Sequence, residues 1–269
     1  MTELTQESTM IRSAADRLAV AAQTGVPCPP VRDLIGAVDI DAAYAVQQEN
    51  NRARVEAGGR VVGRKIGLTS AAVQAQLGVD QPDLGVLFAD MQYDVEAPVP
   101  VDGLLQPRVE AEIAFVLGKD LVDGELDLGQ VIDAVHHAVP AIEICASRIA
   151  GWDISFADTV ADNASAGGFV LGKEPVSLEA FVPSEVTMTM TVTGQDDSTG
   201  QGRDCLGDPL LALQWLARTA RDLGDPLLAG QVVLSGALGP MRPAAAGAEV
   251  SVTISGLGSL DITFAGAPR

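Results

Sequence analysis

Val109-Glu-Ala-Glu-Ile-Ala-Phe-Val-Leu117 is an apolar stretch carrying two acids set two residues apart. On a strand, residues i and i+2 point to the same face, so Glu110 and Glu112 project together while Val109, Ala111 and Ile113 project the other way. Two carboxylates then crowd one spot, where like charges raise each other's pKa or recruit a cation, and burial of the pair without a partner costs several kcal/mol. A third acid, Glu143, lies in Val139-Pro-Ala-Ile-Glu-Ile-Cys145, a run with no polar alternation to mark a wet face. An E-x-E pair alone also fits a solvated sheet face. The interior setting of Glu143 is what favours a metal: three oxygen donors with no companion His or Cys match hard divalent ions such as Mg2+ or Mn2+.

Outward from this stretch, further strands are predicted over residues 60–68, 141–147, 168–171, 185–192, 231–235, 249–254 and 259–264, with 108–117 as the strand of the acid pair and glycine-rich turns between them. Two helices interrupt the strands. One is predicted over 128–138; the other opens with Asp208-Pro209, an N-cap followed by proline at the first helical position, and runs to Gly224. On the N-terminal side, Ile11, Ala14, Leu18 and Ala22 recur at helical spacing until Gly25 and Pro27-Cys28-Pro29-Pro30. A second helix runs from Asp39 or Asp41 to Val55, stopped by Gly58-Gly59, and Ser70 caps a short helix closing at Gly78. The organisation is a helical N-terminal portion over 1–59 and then a strand-rich catalytic part over 60–269, which favours an α+β mixed sheet over a doubly wound parallel one.

The chain is long enough, at 269 residues, to bury a substantial core, and one core is expected. Its 17 Lys and Arg against 36 Asp and Glu give a formal charge of -19, which argues against nucleic acid or an anionic membrane as partner. An anionic substrate would then need local positive charge, from a bound cation or a few placed basic side chains. Cys28, Cys145 and Cys205 are odd in number and far apart, so neither a disulfide framework nor a zinc cluster is indicated, and a reducing cytoplasm fits. The first residues lack a basic and apolar leader pattern, and no stretch is apolar enough to span a bilayer.

Among other candidates, His136 and His137 fall in the predicted helix, where successive side chains diverge, which leaves little room for a Ser-His-Asp nucleophile. In Val62-Gly-Arg-Lys-Ile-Gly-Leu68, strand alternation sends one of Arg64 and Lys65 inward, and a desolvated Lys65 would have a lowered pKa suited to acid/base work. A snorkelling surface lysine is the plainer alternative. Asp83 in Gln81-Pro-Asp-Leu-Gly85 resembles a turn residue, 158–165 a polar capping loop, and 236–239 is too short for a phosphate loop.

The strings GRKIGLTS, LGVDQPDLG, VEAEIAF, PAIEICASRI, DTVADNASAGGFVLG and LSGALGPM, in that order between Gly63 and Phe264, resemble the 2-hydroxypenta-2,4-dienoate (2-oxopent-4-enoate) hydratases of meta-cleavage pathways for aromatic or steroid catabolism, within the fumarylacetoacetate hydrolase superfamily. The resemblance implies a rolled, strongly twisted mixed β-sheet of the superfamily's C-terminal-domain type. It implies Glu110, Glu112 and Glu143 as ligands of Mg2+ or Mn2+, Lys65 and Asp83 as acid/base residues, and Ser165 as a substrate-pocket residue. It also implies a homo-oligomer, a pentamer or decamer. The implied reaction holds the carboxylate and C2 oxygen of a 2-hydroxy-2,4-dienoate at the metal, moves a proton with Lys65 and Asp83, and adds water at C4 to give a 4-hydroxy-2-oxoacid. The sister 2-oxo-3-hexenedioate (4-oxalocrotonate) decarboxylases share these ligands and are the alternative; a non-catalytic subunit stabilising a pathway partner is an alternative of another class. The chain departs from the family pattern at Ala146, where an acid is common before Ser147-Arg148, and at Val73, where methionine is frequent.

Overall fold

Three helices open the chain, and one face of each is committed to the interior. The computed structural model describes residues 3–70, 74–75 and 79–266. Helix α1 (Glu3–Thr24) buries Ala14, Ala15, Leu18 and Ala21, the small apolar stripe that helical spacing places on one side. A single turn, α2 (Arg32–Ile35), leads to α3 (Ile40–Glu56), whose N-cap Asp39 accepts the Ala42 N–H at 3.0 Å. The buried amide of Gln47 on α3 donates to Leu84 O and Val160 O, fastening the helices to the strand-rich part of the chain. Of the short helix expected between Ser70 and Gly78, only Gln74 and Ala75 beyond its cap are described; Val73 lies outside the described residues.

The main sheet contains β1 (Val61–Gly67), β2 (Asp83–Phe88), β3 (Gln92–Tyr93), β4 (Arg108–Leu117), β5 (Val135–Cys145), β6 (Ala166–Leu171), β9 (Val232–Leu234) and β10 (Arg242–Pro243). Its order is β2-β1-β9-β4-β5-β6-β3, with β10 also on β4; β1–β9 and β3–β6 are parallel and the other pairs antiparallel. A second, wholly antiparallel sheet has the order β12-β11-β7-β8, built from β7 (Thr187–Val192), β8 (Ser198–Gln201), β11 (Glu249–Ile254) and β12 (Gly258–Thr263). In β7 and β11 buried and exposed residues alternate strictly, the signature of a sheet with one wet face. The remaining helices are α4 (Leu128–Ala134), α5 (Phe156–Ala161) and α6 (Pro209–Asp222). The fold is thus the mixed, curled sheet with a helical N-terminal part.

Several elements differ from the sequence expectation. The helix predicted over 128–138 ends at Ala134, and His136 and His137 lie on β5. Val135, Val139 and Pro140 explain this, since a proline disfavours the helical region for its predecessor and removes a helical donor. On the strand the two His Nδ1 atoms meet at 2.7 Å, so these rings do form a pair, at the end of β5 remote from Glu143. The segment Gln81-Pro-Asp-Leu-Gly85 is not merely a turn: β2 begins at Asp83 and is buried throughout, so it shows no alternation to betray it. Residues 158–165 are not a polar loop either; Ser155 caps α5 by accepting the Asp158 N–H, and α5 is buried along its whole length. One hydrophobic cluster runs from Ala14, Leu18 and Val46 of the N-terminal helices through Ile113, Ile142 and Val170 to Val252 and Ile262 of the second sheet.

Candidate functional site

Antiparallel pairing of β4 with β5 sets Glu110 directly opposite Glu143, and Glu112 opposite Ala141. Paired residues lie on one face, so the strand alternation that groups Glu110 with Glu112 also delivers Glu143 to them. All three are buried, at 9%, 0% and 1% exposure for Glu110, Glu112 and Glu143. Glu112 Oε2 accepts the Gly236 N–H at 2.7 Å. Its Oε1 and Glu143 Oε2 have no hydrogen-bond partner.

Lys65 and Asp83 reach the same place from β1 and β2. Their register pairs Lys65 with Gly85 and Gly67 with Asp83, which makes the lysine and the aspartate diagonal neighbours on one face. Both glycines are required by space. A Cβ on Gly67 would stand 2.2 Å from Asp83 Oδ1 and 3.0 Å from Lys65 Nζ, and one on Gly85 would stand 3.1 Å from the Lys65 stem. Lys65 Nζ lies 3.1 Å from Glu143 Oε1. In the sheet order β9 and β4 separate β1 from β5, a separation of about 14 Å across a flat sheet. Contact between these side chains therefore requires the sheet to roll around the site. Arg64 faces the other way, as alternation demands, yet is buried as well; it pairs with Asp225.

The last contributor is the turn after α5. Asn163, Ala164 and Ser165 have φ of +54°, +51° and +55°, three consecutive left-handed residues without a glycine. Such conformations cost about 1–2 kcal/mol each. Asn163 offsets part of this by exchanging two hydrogen bonds with the Val86 backbone, at 2.8 and 2.9 Å. Asp162 anchors the other side, accepting from Ser147 Oγ at 3.2 Å, Arg148 N at 2.9 Å and Arg148 Nε. The turn leaves Ser165 Oγ buried and unpartnered. Ala146 is buried beside it: its N–H donates to Ser165 O at 2.7 Å and its Cβ fills the space over Gly167.

Four buried carboxylates, those of Asp83, Glu110, Glu112 and Glu143, thus face the ammonium of Lys65. Burial, then Glu143, pushes Glu110 up to about 7. Burial, then Glu143 and Glu110, raises Glu112 well above the carboxylate range. Asp83 is raised by burial, which outweighs the opposing effect of Lys65 and the 3.1 Å hydrogen bond donated by Thr159 Oγ1. Lys65 departs from expectation. Burial alone would lower it, but Glu143, Cys145, Asp83 and Glu110 raise it well above the ordinary lysine range, so in the metal-free site it is held as a cation. The excess of negative charge and the unpartnered Glu112 Oε1 and Glu143 Oε2 fit a divalent cation, and an all-oxygen carboxylate set suits a hard one.

The structure therefore brings together five of the six residues singled out in the sequence, Lys65, Asp83, Glu110, Glu112 and Glu143; Ser165 lies on the adjoining turn, its carbonyl accepting the Ala146 N–H. Two functional neighbours escaped sequence reasoning. Thr159 sits on α5, a segment that reads as loop. Cys145, set aside for want of a metal-binding spacing, lies two residues after Glu143 and so on its face of β5; its Sγ is 3.6 Å from Glu110 Oε2. A separate cleft of about 460 Å³ lies on the Arg64 side of β1, lined by Tyr44, Gln47, Val61, Leu84 and Leu223 among others. Its one buried charge is already paired with Asp225, so it lacks the convergent ionisable groups of the carboxylate site.

Fold and site together define a rolled-sheet protein in which buried acids and one lysine converge from four strands. Residues 60–265 match the family model "Fumarylacetoacetate (FAA) hydrolase C-terminal". The chain is 52% identical to the TodF product hydratase of Pseudomonas putida, with 98% of this chain and 99% of that protein covered. It is 50% identical to a 2-keto-4-pentenoate hydratase of Paraburkholderia xenovorans, with 93% of each covered. Among solved structures, 4-oxalocrotonate decarboxylase from Pseudomonas putida G7, complexed with magnesium and adipate, superposes with a TM-score of 0.89 at 30% identity, covering 96% of this chain and 97% of that one. The chain belongs to the fumarylacetoacetate hydrolase family and, within it, is similar over nearly its whole length to 2-keto-4-pentenoate hydratases. Among the described residues, no helix is long and apolar enough to cross a membrane.

Proposed function

We propose that this chain is a hydro-lyase that adds water to 2-hydroxypenta-2,4-dienoate, giving 4-hydroxy-2-oxopentanoate. The observation that carries the reading is the convergence of Glu110, Glu112 and Glu143 with Lys65 and Asp83 at one buried spot, in a chain half identical to hydratases. The three glutamates would hold Mg2+ or Mn2+. When bound, the ion supplies positive charge for an anionic substrate and Lewis-acid polarisation of its C2 oxygen.

The chain's own residues do the rest. Lys65, charged and held against Glu143, donates a proton to the terminal carbon of the dienol, while the C2 hydroxyl gives up its proton to the Asp83 carboxylate, which returns it to Lys65; the product of this shift is the conjugated 2-oxo-3-enoate. Asp83, raised by burial and in contact with Thr159, resets the lysine's proton. Water then adds at C4, with its hydroxyl on C4 and a proton on C3. Ser165 Oγ, buried without a partner, is a donor free to hold the substrate. The rolled sheet and the buried α5 keep bulk solvent from the reacting carbons.

A second reading is favoured by one observation, the 30% identity to a 4-oxalocrotonate decarboxylase. Identities of 50% and 52% to hydratases outweigh it. Purified protein incubated with Mg2+ and either 2-hydroxypentadienoate or 4-oxalocrotonate decides: water addition to the first supports the proposal, whereas CO2 release from the second without hydration of the first overturns it. Absence of turnover on both, in metal-loaded protein, would support the role of a partner-stabilising subunit instead. A pentameric or decameric assembly in the cytoplasm goes with the hydratase reading through the family resemblance, and sedimentation measures the first.

A further inference from the structure

Cys145 stands outside the ligand set just proposed and inside its geometry. One donor atom from each of Glu110, Glu143 and Cys145 lies within 4.8 Å of the other two. Strand geometry produces this: Cys145 comes two residues after Glu143 on β5, and Glu143 faces Glu110 across the β4–β5 pair. The 3.6 Å span from Cys145 Sγ to Glu110 Oε2, a thiol-to-carboxylate hydrogen bond, is short enough for both atoms to reach one ion through bonds of about 2.3 Å to sulfur and about 2.1 Å to oxygen. A second, independent feature points at the same spot: Glu143 is buried, and while its Oε1 is held by Lys65 Nζ at 3.1 Å, its Oε2 has no partner.

We infer that Cys145 is a latent thiolate ligand, so that this site takes borderline and soft divalent ions, Zn2+ and Cd2+, through a mixed sulfur–carboxylate set in competition with hard ions. The inference rests on the carboxylate metal site proposed above and extends it. A hard ion makes little use of sulfur, so Mg2+ leaves Cys145 as a buried thiol donating to Glu110. A softer ion gains one S–metal bond; the Sγ proton passes to buffer, and no electron is transferred. The enzyme would accordingly be open to displacement of its hard ion by thiophilic metals.

The test uses full-length, chelator-treated protein titrated with Cd2+, monitored by calorimetry and by the ultraviolet sulfur-to-cadmium charge-transfer band. The expected result is a saturable band that tracks the binding heat, persists in Cys28→Ser and Cys205→Ser, and is lost in both Cys145→Ser and Cys145→Val. Cd2+ affinity should fall roughly tenfold or more in the Cys145 variants, at least the lower end of what outer-shell partners cost a metal site. Mg2+ affinity should fall by much less. Binding heat that disappears in Glu110→Gln but comes with no band overturns the sulfur ligand and leaves the carboxylate site standing. A complete lack of Cd2+ heat overturns both. A band surviving in the Cys145 variants assigns the sulfur elsewhere and overturns the inference alone. If those variants fail to fold, cadmium NMR of the unmutated protein decides, because a resonance in the all-oxygen range rules out Cys145.

Discussion

At the residue scale, Lys65 shows how far local sequence can mislead about charge. Its glycine and aliphatic neighbours signal desolvation, and desolvation does act on it, yet in the metal-free site the surrounding carboxylates prevail and raise it. A charged Lys65 serves as a proton donor, and Lys65→Ala is expected to reduce kcat by about a hundredfold or more while metal content, measured by atomic absorption, stays unchanged. Glu110 carries a pH consequence. Its folded-state pKa of about 7 exceeds its ordinary 4.5, so the metal-free fold holds an extra proton between those values. Stability from this group is full below the lower value and is lost as pH rises through the upper one. Thermal melts of chelator-treated protein should therefore show Tm falling from about pH 5 to about pH 8, and Glu110→Gln should lessen that fall, the remainder belonging to the raised Glu112 and Asp83, while abolishing metal binding. A variant with the same slope as the parent would remove Glu110 as its source.

At the element scale, α5 carries more of the structure than its six residues suggest. Its Asp158 is fully buried and accepts from the backbone N–H groups of Val31, Arg32 and Ser155, from Ser155 Oγ, and from Arg32 Nη1 at 3.0 Å. One carboxylate thus ties the N-terminal helices to the helix that presents Thr159 to Asp83. Asp158→Ala strands several buried donors at once and is expected to cost about 3 kcal/mol or more. Asp208, the half-buried cap of α6, accepts a single helix-end donor, the Leu210 N–H; Asp208→Ala should cost about 1 kcal/mol. Urea unfolding of the two variants measures the contrast, and equal losses would contradict it. The α6 cap was legible from Asp208-Pro209 because capping is local chemistry. Neither β2 nor α5 was, since a fully buried strand or helix shows no periodicity and its polar residues find their partners far along the chain.

At the scale of the whole molecule, the helical portion and the sheets share one hydrophobic cluster. Gln47 and Arg32 also reach across to β2 and α5 with their hydrogen bonds. A chain beginning at residue 60 would expose the apolar surface that Ala14, Leu18, Ala43 and Val46 cover, an area monomeric proteins do not leave open. We expect it to aggregate or to bind a hydrophobic dye strongly, with circular dichroism showing loss of cooperative melting. A soluble, cooperatively folding product would make the helical portion an accessory layer. The net charge of -19 keeps the intact protein soluble and makes local positive charge scarce at the site, where Lys65 is the lone buried lysine among the described residues.

What the sequence by itself determined was whatever depends on near neighbours along the chain. Strand period two put Glu110 and Glu112 on one face; helical spacing and caps bounded α3 and α6 and ended α1 at Thr24, though α1 begins at Glu3, ahead of the Ile11 where its apolar spacing starts; the ordered strings pointed to the family. What only the tertiary structure decided was which distant groups meet. The β4–β5 register set Glu143 against Glu110, and the roll of the sheet closed a gap of three inter-strand spacings to bring Lys65 to Glu143. The left-handed turn at Asn163–Ser165 and the arrival of Cys145 beside the carboxylates belong to the same class. The protonation of Lys65 belongs there too: desolvation can be guessed from neighbouring residues, but the Coulomb field that overrides it comes from carboxylates on other strands, whose distances exist only once the chain has folded.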